Sequence, residues 1–220
     1  MQTALVFRRA RALALVLVGV LAIVVGPLLD RPYDRAAAQS NETTDAAKED
    51  RTQKRPSKVR VEVPIEKLRV DDGDTVDIDW GPGDTETVRI LGIDTPETQH
   101  VPHNIPYDQP FGREALGFAR GVFAATEKVE VLRADMMDPY GRSLGYIFVD
   151  GQNYSVLVVR AALAAESVSH YGDNGFPAEA QAVIEAARDA GPLPFEPPFE
   201  YRQRMRKVSD WMKGKQEPRE

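Results

Sequence analysis

The chain has 220 residues, 42% of them apolar and 28% charged, with a formal net charge of −6 and no cysteine. This length and composition suit one ordinary domain with additions and a sizeable core. Without cysteine there can be no disulfide, thiolate metal site, cysteine nucleophile or cysteine-linked lipid anchor.

The charge is uneven. Residues 1–38 carry five arginines against Asp30 and Asp34, so the remainder is more acidic than the whole. An acidic body disfavours tight binding of polyanions through bulk charge. A nucleic-acid partner would have to be held locally, by a bound cation and a few placed arginines.

Arg8, Arg9 and Arg11 precede an uncharged apolar run from Ala12 to Leu29. Basic residues before such a run mark a cytoplasmic flank, so the rest of the chain is expected outside the cytoplasm. Two readings of residues 1–38 stand side by side. Ala36-Ala37-Ala38 fits cleavage of a signal peptide, whereas the length of the apolar run fits a retained membrane anchor through residues 12–29. Residues 39–57 are almost wholly polar and are expected to be a flexible linker. Residues 58–200 are expected to be the folded domain and residues 201–220 a C-terminal tail.

Val59, Val61 and Val63 alternate with charged residues, and Leu68 and Val70 resume the strand after Pro64. Asp71-Asp72-Gly73 is a turn. Thr75 to Trp80 alternates again, Gly81-Pro82-Gly83-Asp84 turns, and Glu86 to Ile93 is a third strand. The polar, proline-containing stretch Gln99 to Gln109 reads as a loop. Ala115, Phe118, Ala119, Val122 and Phe123 are spaced for a helix beginning after Pro110. Lys128 to Leu132 and Leu144 to Val149 are two more strands around the turn Asp138-Pro139-Tyr140-Gly141. Tyr154, Leu157, Val158, Ala161, Ala162 and Ala165 stripe a second helix. Pro177 starts a third, stopped by Gly191-Pro192. Tyr201 to Trp211 has the spacing of a short helix. The order predicts an α+β, mainly β fold: a five-stranded OB-type barrel with three helices.

Three motifs carry a resemblance. Asp-Gly-Asp-Thr-Val at 72–76, Val-Arg-Ile-Leu-Gly-Ile-Asp-Thr-Pro-Glu-Thr at 88–98 and Asp-Pro-Tyr-Gly-Arg-Ser-Leu-Gly-Tyr at 138–146 resemble the staphylococcal nuclease (thermonuclease) family. The similarity spans about residues 58–190, with the motifs in family order. It implies an exported phosphodiesterase acting on DNA, RNA or both. Asp74, Asp94 and the Thr95 carbonyl would hold Ca²⁺, in keeping with the preference of that ion for oxygen ligands. Arg89 and Arg142 would be phosphate ligands and Glu97 the group that positions or deprotonates water. Tyr140 would line the nucleotide pocket and Tyr171 would stack on a base. His100, His103 and His170 lack metal-ligand spacing. A monomer is expected. The alternative is a noncatalytic OB-type module that binds nucleic acid or protein.

Overall fold

The computed structural model describes residues 51–216. The expected signal or anchor segment 1–38, the linker as far as residue 50 and the last four residues lie outside the described residues. Among the described residues no helix is long and apolar enough to cross a membrane.

In chain order the strands are β1 (Arg60–Val63), β2 (Leu68–Val70), β3 (Thr75–Gly81), β4 (Asp84–Ile90), β5 (Ile93–Asp94), β6 (Val129–Met137), β7 (Ser143–Val149), β8 (Gln152–Asn153) and β9 (Ala165–Glu166). The α-helices are α1 (Gly112–Ala125), α2 (Tyr154–Arg160), α3 (Val168–Tyr171), α4 (Pro177–Ala190) and α5 (Pro198–Gln216). One mixed sheet runs β1-β6-β7-β4-β3-β2, with β8 on β7, and β5 pairs separately with β9. The result is an α+β, OB-like fold.

The alternation seen in the sequence decides what is buried. Val76 and Ile78 of β3, Val88 and Ile90 of β4, and Val131 and Ile147 of β6 and β7 point into one core. Ala119 and Phe123 of α1, Val158 of α2 and Val183 of α4 close over it. Their apolar stripes supply the burial that stabilises helices of this length.

The strand count exceeds the expected five, for identifiable reasons. The Val59–Val70 stretch is two strands, not one interrupted strand. Pro64 and a 3₁₀ turn at Ile65–Lys67 separate them, and β1 pairs with β6 while β2 pairs with β3. The third predicted strand breaks at Gly92, where φ is +81°. The chain then re-enters extended structure as β5, carrying Asp94. β4 and β7 pair in parallel, Arg89 opposite Leu144. The second helix ends at Arg160, earlier than its stripe suggests. Ala162 takes φ +54° and Ala165 joins β9 instead.

Residues 51–57, expected as the end of the linker, run beside β6. The backbone N–H of Met137 donates to the Arg51 carbonyl (2.7 Å), that of Gln53 to the Asp135 carbonyl (2.8 Å), and the Ser57 hydroxyl to Asp135 (2.8 Å). The polar composition that suggests a tether also suits a segment pairing through its backbone.

One ion pair lies inside the sheet. Arg133, 1% exposed, donates from Nε and Nη2 to both oxygens of Glu86 (2.6 and 2.7 Å). Trp80 Nε1 and Ser143 Oγ donate to the same carboxylate (2.7 and 2.6 Å). Burial alone would raise the Glu86 pKa, but the hydrogen bonds from Arg133 and Ser143 outweigh it and hold the carboxyl below its usual range.

Candidate active site

The site forms where β3 begins and where β4 and β5 end. Antiparallel pairing sets Thr75 opposite Arg89, which brings the Asp72–Asp74 turn beside the end of β4. Asp72 Oδ1 accepts from the Asp74 N–H (3.0 Å), the local side-chain bond that makes aspartate a turn residue. The Tyr154 hydroxyl, fully buried, donates to the Gly73 carbonyl (2.8 Å) and pins the turn from below.

Asp74 is held on both oxygens. Oδ2 accepts from the backbone N–H (2.8 Å) and hydroxyl (3.0 Å) of Thr95, and Oδ1 lies 3.0 Å from Arg89 Nη1. The same guanidinium reaches Asp94 Oδ1 from Nη2 (3.2 Å). Asp74, Asp94 and Thr95 are all buried. Burial pushes the Asp74 carboxyl up to about 7. Arg89 and the Thr95 N–H pull it down, and the neighbouring charges of Asp72 and Asp94 push it up. Burial also raises Asp72. The negative charge here exceeds what Arg89 alone neutralises.

Glu97 follows Pro96 on the loop after β5. Its backbone is clamped by Gln109: the Gln109 N–H donates to the Glu97 carbonyl (2.8 Å) and the Gln109 side-chain oxygen accepts from the Glu97 N–H (3.1 Å). Gly112, at the start of α1, packs so closely on the Glu97 carbonyl that a Cβ there would overlap it. Gly112→Ala is therefore expected to destabilise the protein by ~1–3 kcal/mol through overpacking, read from the denaturant midpoint. An unchanged midpoint would show that the Glu97 loop yields freely.

The sequence did not point to Arg202, on α5. Its Nη1 donates to Asp94 Oδ1 (2.9 Å) and Glu97 Oε1 (2.5 Å), and its Nη2 to Asp94 Oδ2 (2.9 Å). Burial opposes its charge, yet Asp94 and Glu97 hold it protonated more firmly than an ordinary arginine. Burial raises the Glu97 pKa, with the Arg202 contact opposing. Gln109 was also missed; buried in a loop, it shows no sequence periodicity.

The structure thus brings Asp74, Arg89, Asp94, Thr95 and Glu97 together. Arg142 pairs with a neighbouring carboxylate. Its Nε donates to Asp138 Oδ2 (2.7 Å), and Asp138 Oδ1 accepts from the N–H groups of Tyr140 and Arg142 (both 2.9 Å). A carboxylate four residues away, across a tight turn, captures the side chain. Tyr140 is 85% exposed, with the Arg142 guanidinium 5.6 Å from its ring centre. Tyr171 is exposed and lines a cavity of about 370 Å³ together with Asp94, His170 and Phe199.

The donors available to a metal are all oxygens, the set that suits a hard cation. Among the described residues no group of three or more acidic, cysteine or histidine side chains is assembled as a metal cage. The oxygens of Asp74 and Asp94 are instead directed at guanidinium and Thr95 donors.

The family model described as staphylococcal nuclease homologue matches residues 87–191. Thermonuclease from Staphylococcus intermedius is 36% identical over 96 residues, 44% of this chain and 55% of its own length. Endonuclease YncB from Bacillus subtilis (strain 168) is 33% identical over 97 residues, 44% of each chain. Endonuclease YhcR from the same organism is 30% identical over 149 residues, 62% of this chain and 12% of its own. The chain thus spans about half the length, or less, of these relatives. The Asp72–Asp74 turn and Arg202 both fall outside residues 87–191.

Proposed function

We propose that this chain, which carries a staphylococcal nuclease-like domain and is similar to thermonuclease, is an exported, calcium-dependent nuclease hydrolysing phosphodiester bonds of DNA, RNA or both. The observation that carries the reading is the mostly buried cluster of Asp74, Arg89 and Asp94, to which Glu97 is tied through Arg202.

Asp74 and Asp94, with the carbonyl of Thr95, would hold the ion. Bound there, Ca²⁺ would supply positive charge to a nonbridging phosphate oxygen. The remaining work falls to side chains of this chain. Arg89 presents a planar fork, held between two aspartates, that can donate to phosphate oxygens as negative charge develops. Glu97, clamped through its backbone by Gln109, orients the attacking water and can accept its proton. Its raised pKa moves it toward the range of a working base. Tyr171, which lines the cavity containing Asp94, would stack on a base. The apolar run 12–29 would direct the domain out of the cytoplasm, by cleavage or as an anchor. The domain would act as a monomer.

The test is incubation of the full chain with heat-denatured DNA, and separately with RNA, in Ca²⁺ and in chelator. Degradation that stops in chelator and returns with Ca²⁺ is expected. No chelator-sensitive cleavage of either polymer would refute the reading. It would leave the noncatalytic binding module, and Arg142, proposed as a second phosphate ligand, would then serve only its pair with Asp138.

A further inference from the structure

Arg202 does more than balance charge. Between them, Arg89 and Arg202 engage both oxygens of Asp94, and Arg202 also holds Glu97. These are the groups proposed above for the cation and for water. Arg89 leaves one oxygen of Asp94 open to an ion, whereas Arg202 occupies both Asp94 oxygens and Glu97 at once and brings a second positive charge into a partly buried site.

The helix that delivers Arg202 is separate from the main core. α5 docks through a satellite cluster of Ile105, Tyr201 and Met205, with Val208 against it. Its polar ties run largely to the 100–109 loop. The Tyr201 hydroxyl donates to the Tyr107 carbonyl (2.9 Å), and Ser209 and Lys213 both donate to Asn104 Oδ1 (3.1 and 2.6 Å). Elements held by few apolar contacts open at the low end of a protein's free-energy scale. The Arg202 side chain is itself 26% exposed, so it can withdraw without crossing the core.

We infer that Arg202 is an internal cation competing with the divalent ion for Asp94 and Glu97, and that α5 is an autoinhibitory helix whose displacement admits the metal. This rests on the calcium reading above. The apparent Ca²⁺ affinity then equals the intrinsic affinity reduced by the fraction of molecules with Arg202 withdrawn. Arg202 also neutralises the two carboxylates while the metal is away, which keeps the resting fold together.

The experiment compares the full chain with Arg202→Ala and with Arg204→Ala. Arg204 lies on the same helix but pairs with Glu196. Ca²⁺ binding is measured by calorimetry, and thermal midpoints are taken with Ca²⁺ and with chelator. Arg202→Ala is expected to bind Ca²⁺ at least ~10-fold tighter, the signature of a removed competing state. Its midpoint should fall in chelator and recover with Ca²⁺, while Arg204→Ala keeps the parent affinity. Equal or weaker affinity in Arg202→Ala overturns the inference. Collapsed turnover at saturating Ca²⁺ with unchanged affinity would make Arg202 a substrate-contacting group and overturn it too. No Ca²⁺ binding by any variant would remove the calcium reading along with it. A further measurement needs no variant. In the unaltered chain, amide hydrogen exchange across 198–216 is expected to quicken when Ca²⁺ is added, and unchanged or slowed exchange contradicts displacement.

Discussion

Arg89→Ala is expected to lower turnover on denatured DNA by ~10²–10³, the usual cost of removing one placed donor from a developing oxyanion. The arginine is not a loose surface group. It lies 3.0 Å from Asp74 and 3.2 Å from Asp94, and it also donates to the Ile90 carbonyl (3.1 Å). Removing it therefore has two consequences that must be separated. The phosphate loses a donor, and two buried aspartates lose the cation between them. Arg89→Lys separates these effects. It keeps a positive charge near the aspartates but lacks the planar fork that grips two oxygens. The lysine variant should recover much of the stability and little of the turnover. Measurements of kcat, KM and thermal midpoint on both variants decide the matter. Parent-like kcat in Arg89→Ala would sink the role assigned to it.

A second large effect lies away from the chemistry. Arg133→Met should destabilise the fold by ~3–5 kcal/mol, because breaking a buried pair strands the other charge. The stranded group is Glu86, at 5% exposure, still hydrogen-bonded by Trp80 and Ser143. Arg55 Nε, 3.3 Å from Glu86, softens the loss without replacing a two-pronged grip. Adding Glu86→Gln should return part of the stability, since no full charge then remains buried. Urea unfolding of the single and double variants measures this coupling. Simple additivity would mean that the two residues do not act as a pair. Specific activity per folded molecule is expected to hold, as neither residue touches Asp74, Asp94 or Glu97.

The reason some of the site can be read from the sequence is local. Asp74, Arg89, Asp94 and Glu97 lie within one short stretch, and turn signals at Gly73 and Gly83 fold that stretch onto itself. Antiparallel pairing then brings the ends together without help from distant parts of the chain. Arg202 has no such signal. It belongs to a helix whose spacing is unremarkable, and only tertiary docking brings it to residues more than a hundred positions earlier. Arg142 is a different case: its turn is legible in the sequence, but the Asp138 contact that holds its side chain is a matter of side-chain geometry that no spacing announces. The pairing of strands was likewise hidden. β1 and β2 follow one another in sequence and look like a single strand, yet they join the sheet at opposite ends because β6 claims β1. The apolar stripe through Ala161, Ala162 and Ala165 fits helix or extended structure equally. The positive φ at Ala162 settles it for a turn.

The pairing of β1 with β6 also sets a timetable for assembly. Val61 finds its partner only at Val131, Ile93 only at Glu166, and Asp94 meets Arg202 across 108 positions. Contacts so remote in sequence must overcome chain entropy before they are repaid, and folds dominated by them form slowly. The sheet cannot close until its distant strands have emerged, and the acidic site cannot be covered until nearly the whole chain has. A chain that stays open this long keeps its strand edges unpaired, and so open to association with other chains, until late in folding.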